Sequence, residues 1–232
     1  MHKALVIFSG GQDSATVLGW ALDRYDHVET VGFDYGQRHD VELEARQLIR
    51  DKIGSIKSVW EDRLGTDHLI AMPSLGKVSQ TAMTENVAID KNDAGLPNTF
   101  VPGRNLAFLV FAGALAWRRN QKTLIAGMCE TDFSGYPDCR AATLTAQMHA
   151  INLGMETALG LETPLMALTK AQSWALAFDI GGQAFVDLIR VHSHSCYLGV
   201  RDTLHDWGYG CGKCPACELR ANGWARWSQD HG

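Results

Sequence analysis

The chain has 232 residues, 46% of them hydrophobic, enough to bury a real core as one domain or one domain with an appendage, and too apolar for a disordered chain. Its 21 basic and 26 acidic residues leave a formal net charge of -5, so no overall positive field draws in a polyanion, which argues against large nucleic-acid substrates. The longest apolar stretch, Leu106 to Trp117, is interrupted by glycine and too short to span a bilayer, and Met1-His2-Lys3 leads straight into strand-like sequence without a signal-peptide layout; the expectation is a cytoplasmic protein without a membrane partner.

The first apolar run, Ala4 to Phe8, predicts a strand. It ends in Ser9-Gly10-Gly11-Gln12-Asp13-Ser14 and gives way to helix-like sequence from Asp13 to Leu22. Two glycines at a strand end let the backbone approach an anion without Cβ clashes, and the helix that follows points its free N–H groups at the same spot. Ser9 and Ser14 add hydroxyl donors. The run lacks the Gly-Lys-Ser/Thr ending of a Walker A loop and the third glycine of a dinucleotide fingerprint, so it is a phosphate site of another kind. A plain serine-glycine turn is the bland alternative.

Val28 to Asp34 reads as a second strand, Val41 to Ile53 as a helix and Ser55 to Trp60 as a third strand. This alternation predicts an α/β fold, a doubly wound, mostly parallel sheet covered on both faces. From Pro73 to Pro102 the pattern dissolves into Gly, Pro, Asn, Ser and Thr, a length that suggests a functional lid or interface loop exposing Leu96, Phe100 and Val101. Asn105 to Arg118 then predicts an apolar helix, Thr123 to Ala126 a strand, and Ala141 to Leu159 and Lys170 to Phe178 two helices.

From His192 the composition shifts to cysteines and few aliphatics, followed by helix-like Cys217 to Trp227. Cys196, Cys211, Cys214 and Cys217 are separated by fourteen, two and two residues. In a cytosolic chain such spacing marks a metal site, because two residues between thiolates let both reach one tetrahedral ion. Zinc is the first choice, with an iron–sulfur cluster and free thiols as alternatives. Four thiolates leave no open position, so the role is structural. The expected division is a nucleotide-binding α/β domain over 1–190 and a small zinc-binding helical lobe over 191–232.

Ser-Gly-Gly-x-Asp-Ser resembles the PP-loop of the ATP pyrophosphatases, an adenine-nucleotide alpha hydrolase-like, Rossmann-like fold. With the four-cysteine knuckle at the other end, the chain resembles the 7-cyano-7-deazaguanine synthase family. Asp34-Tyr35-Gly36-Gln37-Arg38-His39, Val101-Pro102-Gly103-Arg104-Asn105, Asp132 to Arg140 and Ser195-Cys196-Tyr197 also look like that family's signatures, so the resemblance covers almost the whole chain. Two departures stand out: the span between the first two cysteines is longer than usual, and His192-Ser193-His194 replaces the more typical Thr-Trp.

The resemblance implies a ligase that takes 7-carboxy-7-deazaguanine, ammonia and two ATP with Mg2+ through an adenylated acid, an amide and an adenylated amide to the nitrile precursor of queuosine. AMP and pyrophosphate leave twice. It further implies that Phe8, Ser9, Gly10, Gly11, Gln12, Asp13, Ser14, Ala15, Thr16, Val17 and Leu18 hold ATP, and that a homodimer forms. Asp13 either caps the helix or holds magnesium. Arg104 and Lys170 are the candidate cations for the charge that builds as pyrophosphate departs. Substrate recognition falls to Asp132, Ser134, Gly135, Tyr136, Asp138 and Arg140, whose groups suit a purine-like edge, and to Tyr35, Gln37 and His39 beyond the second strand. The rival enzyme reading is a PP-loop sulfurtransferase acting on tRNA, which would need a basic face and reactive cysteines; the rival of another class is a zinc-knuckle scaffold with a relic nucleotide fold.

Overall fold

The computed structural model describes residues 1–90, 96–130 and 136–231. Strands β1 (Lys3–Ile7), β2 (His27–Asp34), β3 (Leu64–Ala71), β4 (Thr123–Ala126) and β5 (Gly160–Glu162) form one sheet in the order β3-β2-β1-β4-β5. All four pairings are parallel, with Val6 opposite Thr30 on one side and Ile125 on the other. The doubly wound parallel sheet expected from the alternation is present.

Side chains on successive strand residues point to opposite faces, and the core divides accordingly. Ala4, Val6, Phe8 and Ile125 face a layer built from α1 (Gln12–Arg24), α2 (Val41–Ile53), α3 (Ser58–Arg63), α7 (Lys170–His192) and α8 (Pro215–His231). Leu5, Val31, Phe33 and Leu124 face α5 (Arg104–Arg118) and α6 (Ala141–Gly154). Each fully buried Leu, Ile or Phe in these layers contributes about 1.5–3 kcal/mol.

Four sequence expectations change. Ser55 to Trp60 is not a strand: its aromatic and β-branched content reads as one, but a helical turn, α3, delivers Trp60 into the core, where it is fully buried, donates Nε1–H to Asp23 at 3.0 Å and meets Phe185 edge-on at 5.1 Å. The third strand is instead Leu64–Ala71, an edge strand whose Asp67 and His68 serve a polar cluster and hide the period-two pattern. Within Pro73 to Pro102 a short helix, α4 (Pro73–Ser79), forms, and Val101 is buried while Leu96 and Phe100 are half-buried, so these three are not the exposed face expected of them. The helix predicted over Ala141 to Leu159 stops at Gly154, whereas the one beginning at Lys170 runs on to His192.

Helix α7 opens on a capping box, Thr169 with Gln172, and is broken at Gly182, whose φ of 64° and ψ of -166° no helix contains. Beyond it come a two-stranded hairpin, β6 (Leu204–His205) with β7 (Gly208–Tyr209), and α8, whose Trp224 and Trp227 pack on Trp174 of α7. No helix among the described residues is long and apolar enough to cross a membrane.

On the sheet, Glu29 is 3% exposed and accepts hydrogen bonds from Arg119 at 2.8 and 3.0 Å, with the His68 and His27 rings at 2.8 and 3.2 Å. Burial alone would raise its pKa, but Arg119 and the two histidines outweigh it and hold the carboxyl at about 2. A depressed folded-state pKa means the stabilisation is present above the unfolded value and is lost as pH falls through the folded one. Chain stability is therefore expected to decline from about pH 5 to pH 2 by about 2 kcal/mol through this group, a figure reduced for the exposure of Arg119. Glu29→Gln should flatten that decline in urea titrations run across this range, and an unchanged slope would remove Glu29 from the acid response.

Candidate active site

Strand order reverses direction at β1, which lies between β2 and β4, and ligands of open α/β sheets gather at such a point beyond the strand ends. The Ser9 to Ser14 turn sits there. Gly11 is the N-cap of α1, and Gly10 takes φ +92°. Ser14 Oγ accepts from the Gly10 N–H at 3.1 Å and donates to the Gly11 carbonyl at 3.0 Å, while Ser9 Oγ accepts from the Gly11 N–H at 3.3 Å. The turn's hydroxyls thus satisfy the same N–H groups that an anion would take.

Asp13, in the first turn of α1 two residues after the Gly11 N-cap, accepts from Lys170 Nζ with both its carboxylate oxygens, at 2.9 and 2.7 Å. Lys170 is the first residue of α7, so its capping box aims the ammonium at the turn. From the other side the chain after α7 closes in: the Gly10 carbonyl accepts from the His194 N–H at 3.0 Å, and Ser195 Oγ accepts from the Gln12 N–H at 3.4 Å. Arg220 of α8 is 1% exposed and donates to the carbonyls of Trp207, Ile189 and Arg190 at 2.9, 3.2 and 3.2 Å.

These groups open on a cavity of about 290 Å³. One end is the glycine turn with Asp13, Lys170 and Arg220; the other is an aromatic slot in which Phe33 and Phe108 stack at 4.1 Å and Tyr35 and Tyr136 stand nearby. The Gln12 side-chain amide is 2% exposed, lines the cavity and has no hydrogen-bond partner among the described residues. An orphaned buried amide in a cavity wall marks where a ligand's polar atoms come. Arg104 lies 5.8 Å from the Tyr35 and Tyr136 ring centres, and those phenols hold it protonated against the pull of burial. The two candidate cations therefore serve opposite ends, Lys170 the glycine turn and Arg104 the aromatic slot.

Of the other expected site residues, Phe8, Tyr35, Gln37 and Tyr136 also line the cavity. Ala15, Thr16, Val17 and Leu18 do not; they form the body of α1 and pack into the core. His39 stands behind the wall, edge-on to His194 at 5.7 Å. Asp138 accepts from the Asn105 N–H at 3.2 Å and so closes the first turn of α5, and Arg140 is exposed at the start of α6. Neither is on the cavity wall. Asp132, Ser134 and Gly135 lie outside the described residues.

Among the wall residues that carry no sequence signal of their own are Arg220 and Glu42. Glu42 is in the first turn of α2, one turn before Arg46, whose Nε donates to the Phe8 carbonyl at 2.6 Å. Burial pushes its carboxyl up to about 7 against the attraction of Arg104, with a further push from Cys196. Glu42 follows the Tyr35 to His39 run within one helical turn, and that proximity was the available signal. The Cys139 thiol, also on the wall, is pushed up to about 12 by burial and by Asp138, which keeps it protonated.

The sulfur atoms of Cys196, Cys211, Cys214 and Cys217 all lie within 4.8 Å of one another, with Cys211 and Cys217 3.9 Å apart. A tetrahedral ion with sulfurs at about 2.3 Å needs sulfur separations of about 3.8 Å. The donor set therefore fits a metal ion, and the cluster sits between Ser195 and α8.

A model of the family described as queuosine biosynthesis protein QueC matches residues 3–228. Relatives named 7-cyano-7-deazaguanine synthase are 59% identical over 226 residues in Nitrobacter hamburgensis (97% of this chain, 95% of that one) and 61% identical over 225 residues in Rhodopseudomonas palustris (97% and 93%). One in Burkholderia cenocepacia is 60% identical over 221 residues (95% and 91%). Among solved structures, a 4-thiouridine synthetase–RNA complex with bound ATP superposes with a TM-score of 0.52 at 16% identity, over 98% of this chain and 53% of that one, a likeness of fold alone.

Proposed function

The chain belongs to the queuosine biosynthesis protein QueC family, and from that membership we propose that it converts 7-carboxy-7-deazaguanine and ammonia to 7-cyano-7-deazaguanine with two ATP, releasing AMP and pyrophosphate twice. The observation that carries this reading at the level of the site is one cavity holding an anion-binding glycine turn at one end and an aromatic slot with Arg104 at the other.

A carboxylate is a poor electrophile because oxide would have to leave; an acyl-adenylate leaves as AMP. In this reading the base lies against the aromatic side chains of the slot, and Arg104 draws the substrate carboxylate to its wall. The triphosphate occupies the glycine turn, with the Gly10 and Gly11 N–H groups, the Ser9 and Ser14 hydroxyls and Lys170 meeting the charge that grows on the departing pyrophosphate. Asp13, the carboxylate at the phosphate end, would hold Mg2+, which would supply neutralisation of the phosphate charge. A zinc ion on the four thiolates supplies a cross-link and no open position. Catalysis here is mostly positioning and fixed charge.

The tRNA-thiolating alternative needs a reactive thiol; of the two cysteines on the wall, Cys139 is held protonated, and Cys129 lies 3.8 Å from the Leu168 carbonyl. Small molecules are the partners in this reading and nucleic acid is not, which the net charge of -5 favours. A cytoplasmic site and a lobe over 191–232 stapled by its metal belong to the same reading. So does a homodimer, for which exposed Phe111 and Trp117 on α5 and Leu153 on α6 offer an apolar face.

The test is mass spectrometry of a reaction with 7-carboxy-7-deazaguanine, ammonium, Mg2+ and ATP. Nitrile formed with AMP is the expected result. No acid-dependent ATP consumption would overturn the reading.

A further inference from the structure

Two carboxylates line the cavity among the described residues, Asp13 and Glu42. Asp13 is neutralised by Lys170 through both oxygens. No hydrogen bond or ion pair from the described residues reaches the Glu42 carboxylate; Arg104 acts on it only at a distance. Its backbone carbonyl lies against Gly10, so close that a Cβ there would be 2.5 Å away. Glu42 therefore lines the cavity beside the glycine turn, on the same wall as Tyr35, Phe108 and Arg104, between the end that the proposed reaction gives to phosphate and the end that it gives to the base. His194 also lines the cavity; its ring is fully buried, with Nε2 3.2 Å from the Cys196 carbonyl.

Resting on the reaction proposed above, we propose that Glu42 is the proton acceptor for the substrate nitrogen in both halves of the reaction. In the first, ammonia adds to the acyl carbon; Glu42 takes a proton from that nitrogen, and the C–O bond to AMP breaks with its electron pair leaving on AMP. In the second, the amide oxygen attacks the α-phosphorus of ATP and pyrophosphate departs, leaving a nitrogen that carries two protons. Glu42 takes the first and returns it to solvent. It takes the second as the C–O bond to AMP breaks, and the N–H electron pair becomes the third carbon–nitrogen bond. Acid adenylation, in which a carboxylate oxygen attacks phosphorus, needs no proton acceptor. A carboxyl raised by burial suits a group that must both take and release protons near neutral pH.

The proposal separates two measurements on Glu42→Gln. Exchange of pyrophosphate into ATP dependent on 7-carboxy-7-deazaguanine is expected to stay within about threefold of the unaltered protein, while ammonium-dependent nitrile formation falls about 100-fold or more. Glu42→Asp, which keeps the carboxylate but shortens its reach, is expected to recover part of the nitrile rate. Nitrile formation within about threefold of normal would overturn the assignment, and so would exchange and nitrile formation falling together, which would mark Glu42 as a recognition or structural residue. If the unaltered protein shows neither exchange nor nitrile, the reaction itself is wrong, and the inference falls with it by a route that the variants do not share.

Discussion

Gly10→Ala is expected to abolish ATP turnover. The residue adopts φ +92°, which an alanine reaches only at a cost of about 1–3 kcal/mol. A Cβ would also stand 2.5 Å from the Glu42 carbonyl oxygen and 2.8 Å from the Arg46 nitrogen. Both are backbone atoms in α2, and that helix is anchored by the buried Arg46 guanidinium, which holds Phe8 and Asp67. Neither partner can swing aside as a flexible side chain would. The turn must therefore open, and with it go the paired N–H groups proposed to meet the phosphates. Titration calorimetry with a non-hydrolysable ATP analogue should detect no binding, and kcat/KM should fall more than about 100-fold. Destabilisation of a few kcal/mol in a chain of this size lowers Tm by about 2–4 °C per kcal/mol, so the variant should remain folded at room temperature. ATP affinity unchanged in Gly10→Ala would refute the assignment of this turn to phosphate.

Cys214→Ser is the second large change expected. Cys214 is buried and its backbone N–H bonds to the Cys211 sulfur at 3.3 Å, the geometry of a knuckle that closes on an ion. Metal analysis by plasma emission should fall from about one equivalent per chain to near none, since a four-ligand site that loses one thiolate binds far more weakly. Tm should drop by about 10 °C or more, the scale set by several kcal/mol of lost cross-linking. The more telling outcome concerns the nucleotide. Ser195, next to the first ligand, accepts from Gln12, and Arg220, one turn beyond the last ligand, holds three backbone carbonyls beside the cavity. Loss of the metal releases both anchors, so ATP binding should weaken with metal content. Full ATP affinity in metal-free protein would show that the lobe is a separate appendage.

The sequence reading succeeded where chemistry is written into adjacent residues. A glycine pair between an apolar run and a helix, and cysteines two apart, each report a local geometry that no tertiary contact needs to supply. It failed where neighbours in space decide. Trp60 looks like a strand residue until α1 and Phe185 are present to receive it. Asp138 looks like a purine-recognising carboxylate, yet it is spent on the Asn105 N–H. Glu42 and Arg220 carry no motif of their own and become cavity residues because α2 packs on Gly10 and α8 packs on α7.

The break at Gly182 has a geometric corollary. A straight helix of 23 residues would separate its ends by about 33 Å. Yet Lys170 at one end holds Asp13, and His194, just past the other, holds Gly10, three positions away on the same turn. The helix is therefore folded like tongs, with Gly182 as the pivot and the glycine turn between the tips. The grip is measured out in whole residues: removing one from the arm between Gly182 and His192 would rotate its tip by about 100° and retract it by about 1.5 Å. The Lys170 tip would stay in place, so the turn would be held from one side alone, and the two arms must keep their lengths in register for the site to close.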